Sequence, residues 1–119
     1  MRKTRSKNPV LLATIDRLLE RSREEGSAIW RDVALRLSRP RRRRAEVNVA
    51  KIARYGKKGQ YIIVPGKVLG YGSIDFSVNV IAFSFSSSAR KKIEDAKGRC
   101  YTILEYLKNK IGEKPIIME

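Results

Sequence analysis

Apolar residues first recur with helical spacing just after the amino terminus. Leu11, Ile15, Leu18 and Leu19 fall on one face of a helix that Asn8–Pro9 opens and Gly26 stops. Ser27 is placed to cap a second helix running to about Leu37, with Ile29, Trp30, Val33, Ala34 and Leu37 as its apolar stripe. The tight connection between them predicts an αα-hairpin. Ser38 to Arg44 follows as an extended loop, because Pro40 disfavours helix at Arg39 and four adjacent arginines repel one another. A short element then has Asn48 as its cap and Val49, Ile52 and Ala53 on one side, ending near Gly56.

From Gln60 the pattern changes to that of strands. Tyr61 to Val64 is β-rich and should end in a turn at Pro65–Gly66, with Val68–Leu69 set between glycines. Ser77 to Phe85 reads as the central strand. It carries Ile81, Phe83 and Phe85 on one face and Val78, Val80 and Ala82 on the other, so both faces should be covered. Serines 86–88 cap a helix lined by Ala89, Ile93 and Ala96 and closed by Gly98. Thr102 with Glu105 forms a capping box for a last helix, with Leu104 and Leu107 inward and Gly112 at its end; Ile116 to Met118 is a final strand. No internal repeat interrupts the series. Strands alternating with helices predict an α/β fold, a small mixed sheet with packed helices, preceded by the helical hairpin.

The chain of 119 residues fits one domain, 1–119, with a core built from its 42% apolar residues. Charge changes the picture. Lys and Arg total 27 against 12 acids, a net charge of +15. Self-repulsion on that scale is relieved by a polyanion, with nucleic acid as the default partner and an anionic membrane surface as the runner-up. Residues 1–58 hold 18 basic and 6 acidic residues, whereas 59–119 hold 9 and 6. The chain therefore divides into a basic arm (1–7), the hairpin (8–37), an arginine-rich RNA-binding segment (38–58) and a mixed α/β scaffold (59–119). Cys100 is the only cysteine, which suits a reducing cytosol. The short apolar run Val10 to Ala13 is neither a signal peptide core nor a membrane span.

Catalytic chemistry finds little to work with. There is no histidine, which removes Ser-His-Asp and Cys-His arrangements and the commonest zinc ligand. Cys100, between Arg99 and Tyr101 in an expected strand, reads as a packing residue; Arg99 would lower its pKa were the thiol exposed. The carboxylate pairs Glu24–Glu25 and Glu94–Asp95 read as solvated helix surface, since adjacent side chains on a helix point apart. Gly66–Lys67 fails as a phosphate-binding loop because Tyr61 and Val68 stand where glycine and Ser or Thr are needed. The chain is expected to be no enzyme and to need no metal or cofactor.

The basic residues remain. Arg36, Arg39 and Arg41, Arg42, Arg43 and Arg44 are six arginines within nine residues, and Lys51, Arg54, Lys57, Lys58 and Lys67 follow. Arginine grips phosphate bidentately and stacks on unpaired bases. Arg2, Lys3, Arg5 and Lys7 form an arm that a polyanion would order. Tyr55, Tyr61 and Tyr71 could stack on bases, although tyrosines beside strands are usually half-buried packing. The polar face of the hairpin mixes Asp16, Glu20, Glu24 and Glu25 with its arginines and offers no recognition helix for the major groove, which favours RNA. These residues alone reach a polyanion binder, and leave a ribosomal and a nucleic-acid-packaging protein both open.

One ordered set of motifs is more specific. Asn8–Pro9 with Leu11, Trp30-Arg31-Asp32-Val33-Ala34 with Leu37, Pro40-Arg41-Arg42 through Glu46-Val47-Asn48, Lys51-Ile52 to Arg54-Tyr55 and Val64-Pro65-Gly66-Lys67-Val68-Leu69-Gly70 occur in one order, with Phe83–Ser84 and Ala89 with Lys92–Ile93 later. This closely resembles the archaeal and eukaryotic large-subunit ribosomal protein eighteen family (e-type), related to bacterial large-subunit ribosomal protein fifteen. The compact length is similar to archaeal members. The resemblance implies a fold of irregular strand-strand-helix turns and a cytoplasmic role in translation, binding and stabilising folded large-subunit rRNA. It also implies neighbouring large-subunit proteins as contacts, including those numbered four and fifteen. It makes the Pro40–Arg44 stretch and the Val64–Gly70 segment the RNA-facing pieces, with the run of four arginines denser than the family pattern requires.

Overall fold

Asn8 caps the first helix, α1 (Pro9–Glu25), by accepting from the backbone N–H of Val10 (2.9 Å) and Leu11 (3.3 Å). The computed structural model describes residues 8–109 and 114–119, so the arm at residues 1–7 and the helix stop expected at Gly112 lie outside the described residues. The chain divides into two compact units, with the boundary between Arg44 and Ala45.

In the first unit α1 ends at Gly26, which takes the left-handed conformation (φ 63°) and donates to the Ser22 carbonyl (2.9 Å). Leu11, Thr14, Ile15 and Leu18 are buried along one stripe, while Leu19 is only half-buried. Thr14 is tolerated there because its hydroxyl donates to the Val10 carbonyl (2.7 Å). α2 (Ala28–Leu37) buries Trp30, Val33, Ala34 and Leu37 and packs on α1, as the periodicity predicts. Ser27 occupies the capping position of α2 without a side-chain cap; its carbonyl accepts from the Ser22 hydroxyl instead (2.9 Å).

Glu25 is not mere solvated surface. Its carboxylate accepts from the Trp30 indole N–H (2.9 Å) and from the Arg21 guanidinium (3.2 Å), and Arg21 is only 8% exposed. One acid thus ties the end of α1 to the start of α2. Nor is the segment after α2 extended. Ser38 closes the helix through its N–H and its hydroxyl on the Ala34 carbonyl (3.0 and 2.9 Å), and Arg41–Arg43 then form one 3-10 turn with the Arg43 N–H on the Pro40 carbonyl (2.8 Å). Repulsion between arginines acts on their exposed heads, and does not prevent a local backbone bond that Pro40, with its fixed φ, helps to initiate.

The second unit is an α/β layer of β1 (Ala45–Asn48), α3 (Val49–Tyr55), β2 (Tyr61–Leu69), β3 (Asn79–Phe85), α4 (Ser87–Asp95), β4 (Arg99–Thr102), α5 (Ile103–Asn109) and β5 (Ile116–Ile117). The order is β1-β2-β3-β4, and β5 pairs with β2, sharing the edge of that strand with β1. The α/β class is the expected one. Every described pairing is parallel, however, where the sequence suggested a mixed sheet. Parallel neighbours need crossover connections, and α3, α4 and α5 supply three of them.

β1 escapes the sequence reading, and β2 runs straight through Pro65–Gly66 rather than turning there. Between Val64 and Lys67 the register against β3 shifts by one residue, a bulge in which the missing N–H of Pro65 does no harm. Gly66 is needed because a Cβ there would lie 1.9 Å from the Ala45 carbonyl oxygen of β1. Buried Val47, Val49, Ile52, Ile62, Val64, Val68, Val80, Ala82, Ala89, Ile93 and Met118 form one core. Ile63, Ile81, Ile103, Tyr106 and Leu107 are buried as well, with α5 packed on β3 and β4, while Leu104, expected inward, is half-buried.

The remaining caps are local. The Ser86 hydroxyl accepts from the Ala89 N–H (3.2 Å). Thr102 and Glu105 exchange both bonds of a capping box (2.8 and 3.2 Å). α4 ends with Lys97 in the left-handed region (φ 69°), the role expected of Gly98. Gly98 is required by packing: a Cβ would come within 2.5 Å of the Val78 carbonyl oxygen.

Candidate nucleic-acid interface

In the first unit the arginine segment is a shaped surface. The 3-10 turn exposes Arg42 and Arg43, and neither has an ion-pair partner among the described residues. Arg44 folds its Nε back onto the Arg39 carbonyl (3.1 Å), which fixes the segment from both ends. Arg39 is exposed, and the side chain of Arg41 lies outside the described atoms. Arg36 differs from the others. Asp32, one turn earlier, binds its Nε at 2.9 Å, so much of its charge is answered within α2.

The second unit carries the other candidates. Lys51 and Arg54 are exposed on α3, one turn apart. Lys51 donates to the Glu119 carbonyl oxygen, and the Arg54 guanidinium sits 5.4 Å from the centre of the Tyr55 ring. Lys57 and Lys58 occupy a tight turn held by hydrogen bonds on both sides. The Gln60 side chain accepts from the Lys57 N–H (3.0 Å), Gln60 N–H donates back to the Lys57 carbonyl (3.0 Å), and Gly59, at φ 77°, donates to the Ser77 carbonyl (2.7 Å). Both lysine side chains are left exposed. Lys67 is the one exposed residue of β2, directly across from Glu46 on β1. Arg2, Lys3, Arg5 and Lys7 lie outside the described residues.

Some features escape the sequence reading. Tyr71, grouped with tyrosines expected to be half-buried, is 76% exposed, and Tyr55 is 58% exposed; Tyr61 is half-buried as expected. Lys92 accounts for the first. Its ammonium donates to the carbonyls of Gly70 (2.6 Å) and Gly72 (2.5 Å), on either side of Tyr71. The glycines flanking Tyr71 were the available signal. The scaffold also exposes Lys91, Lys97, Arg99, Lys108 and Lys114, so positive surface is not confined to residues 1–58.

Cys100 is half-buried in β4, and burial pushes its thiol up to about 11; Arg90 pulls it down and Glu94 raises it, so Arg90 on α4 rather than adjacent Arg99 is the arginine that acts on it. Among the described residues no group of His, Cys, Asp and Glu could hold a metal ion, and no described helix is long and apolar enough to cross a membrane.

Residues 9–101, from α1 into β4, match the family model that describes the ribosomal proteins 50S-L15 and 50S-L18e together with their 60S counterpart. The chain belongs to this family. A relative from Methanoregula boonei is 54% identical over 102 residues, covering 86% of this chain and 84% of its own. One from Methanothermobacter thermautotrophicus is 50% identical over 103 residues, 87% and 85% of the two chains. One from Methanococcus maripaludis is 45% identical over 119 residues, 99% of each. All three carry the name large ribosomal subunit protein eL18. The resemblance read from Asn8 to Gly70 is thereby borne out. Membership in a family of ribosomal proteins makes this a structural protein and not an enzyme.

Proposed function

We propose that this protein is a structural constituent of the large ribosomal subunit that binds and stabilises folded large-subunit rRNA through its basic surface. The observation that carries the reading is the arginine turn. Arg42 and Arg43 are exposed on a backbone fixed by its own hydrogen bonds, with no acid answering them among the described residues. Unanswered guanidinium groups on a fixed turn suit phosphate, since the backbone beneath them needs no further ordering on binding. Net charge of +15 and relatives named as large-subunit proteins support the same partner.

In this reading Arg39, Arg41, Arg42, Arg43 and Arg44 bind rRNA together with Lys51, Arg54, Lys57, Lys58 and Lys67, and the arm at Arg2, Lys3, Arg5 and Lys7 adds to them. Arg36 contributes less, because Asp32 competes for it. The protein works in the cytoplasm within the subunit, without cofactor, beside neighbouring large-subunit proteins that include those numbered four and fifteen. Each phosphate neutralised adds about 0.9 to the salt slope on duplex and about 0.7 on single strands. Replacing Arg41 to Arg44 with Gln should therefore flatten the plot of log K against log salt by roughly 2–4 for an rRNA fragment. An unchanged slope would place these arginines away from phosphate. Native protein that fails to sediment with large subunits at moderate salt, or that binds duplex DNA and rRNA equally, would overturn the ribosomal reading.

A further inference from the structure

We propose that Tyr71 is a stacking platform for an unpaired RNA base, an inference that rests on the rRNA-binding reading and adds to it a contact that is not electrostatic.

β2 and β3 are parallel, yet no helix joins them. The connection, residues 70–78, has to travel from the far end of β2 back to the start of β3 in an almost direct path. Its first three residues, Gly70-Tyr71-Gly72, are bound on two sides. On one, the Lys92 ammonium of α4 holds the carbonyls of Gly70 and Gly72 at 2.6 and 2.5 Å. On the other, the Tyr71 carbonyl accepts from the Ala50 N–H in the first turn of α3 (2.9 Å). Both glycines are required by this close approach. A Cβ on Gly70 would lie 2.0 Å from the Ser88 hydroxyl oxygen, and one on Gly72, where φ is 96°, would lie 2.4 Å from the Ala50 Cβ.

The backbone of Tyr71 is thus fixed from both flanks while its ring is 76% exposed. Ser73 and Asp75 just beyond it are exposed and polar, and Lys51 follows Ala50 directly. A flat ring on an immobile backbone, with polar and cationic neighbours in place of an apolar rim, fits a nucleobase better than a protein hot spot, which sits in a desolvated pocket. Tyrosine has few torsions to order on binding, and a fixed backbone removes most of the remaining entropic cost.

The test compares wild type, Tyr71→Ala and Tyr71→Phe for binding to large-subunit rRNA fragments across a salt series, with thermal melts as a folding control. Tyr71→Ala should weaken binding roughly 5- to 150-fold, the range for loss of one stacked base, with the salt slope unchanged. Tyr71→Phe should stay within about twofold, since stacking needs the ring and not the hydroxyl. Ultraviolet irradiation of intact subunits should place a nucleotide adduct on Tyr71, within the tryptic segment from Val68 to Arg90. Wild-type affinity in Tyr71→Ala, equal losses in both variants, or loss of subunit incorporation without loss of RNA affinity would each overturn the proposal; the last would make Tyr71 a protein contact. Wild-type protein that binds no rRNA at all would instead remove the underlying reading, an outcome distinct from these.

Discussion

Replacing Lys92 with Met removes an ammonium and keeps the stem, isolating the two bonds that hold the loop after β2. Hydrogen bonds to charged groups contribute about 1.5–3 kcal/mol each. The two bonds at 2.6 and 2.5 Å share one ammonium, so they do not add in full, and Lys92 is half-buried rather than enclosed. A loss of about 2–4 kcal/mol follows, part of it from the carbonyls of Gly70 and Gly72 that must find other donors. For a chain of this size that lowers the melting midpoint by roughly 8–15 °C. Far-UV circular dichroism reads the global loss. Hydrogen exchange at the Ala50 amide, which bonds the Tyr71 carbonyl, reads the local one, because freeing the loop frees its acceptor. A midpoint within about 1 °C of wild type, with Ala50 exchange unchanged, would refute the view that Lys92 fixes this loop.

Glu25→Ala should cost the first unit about 1–2 kcal/mol, discounted because the carboxylate is 43% exposed, and the single tryptophan, Trp30, should report it by a fluorescence change at a lower urea midpoint. Glu25→Gln, which keeps an acceptor for the indole, should lose less. Gly66→Ala places a Cβ 1.9 Å from the Ala45 carbonyl oxygen, so β1 must leave β2 and the urea midpoint should fall by the equivalent of about 2–3 kcal/mol; an unchanged midpoint would mean the strands are not in this register. For Cys100, a thiol raised from 9.0 to about 11 in the folded protein keeps a proton that the unfolded chain releases. Its contribution to stability is therefore complete below about pH 9 and is lost as pH rises toward about 11, seen as a difference between wild type and Cys100→Ala. At pH 8 iodoacetamide should label the folded protein roughly a hundredfold more slowly than the urea-unfolded chain.

Sequence alone determined the parts of this protein whose causes are local. Helix starts and stops were legible at Asn8, Gly26, Ser86 and the Thr102–Glu105 box because each cap acts over three or four residues of chain. The alternation of strands and helices, the excess of charge in residues 1–58 and the missing histidines were legible because they are properties of composition and order. Tertiary structure decided what depends on distant partners. Pro65–Gly66 is a turn pair by local propensity and becomes a bulge because β3 on one edge and Ala45 on the other hold β2 straight. Ala45–Asn48 is too short to announce itself as a strand until β2 supplies the other half of its ladder. Within the candidate interface, the arginines could be counted from the sequence, but not sorted. Asp32 partly answers Arg36 and the Arg39 carbonyl holds Arg44, while Arg42 and Arg43 face solvent. Tyr71 is exposed for a reason that no local rule contains. A lysine on another helix, Lys92, grips the carbonyls on both sides of it.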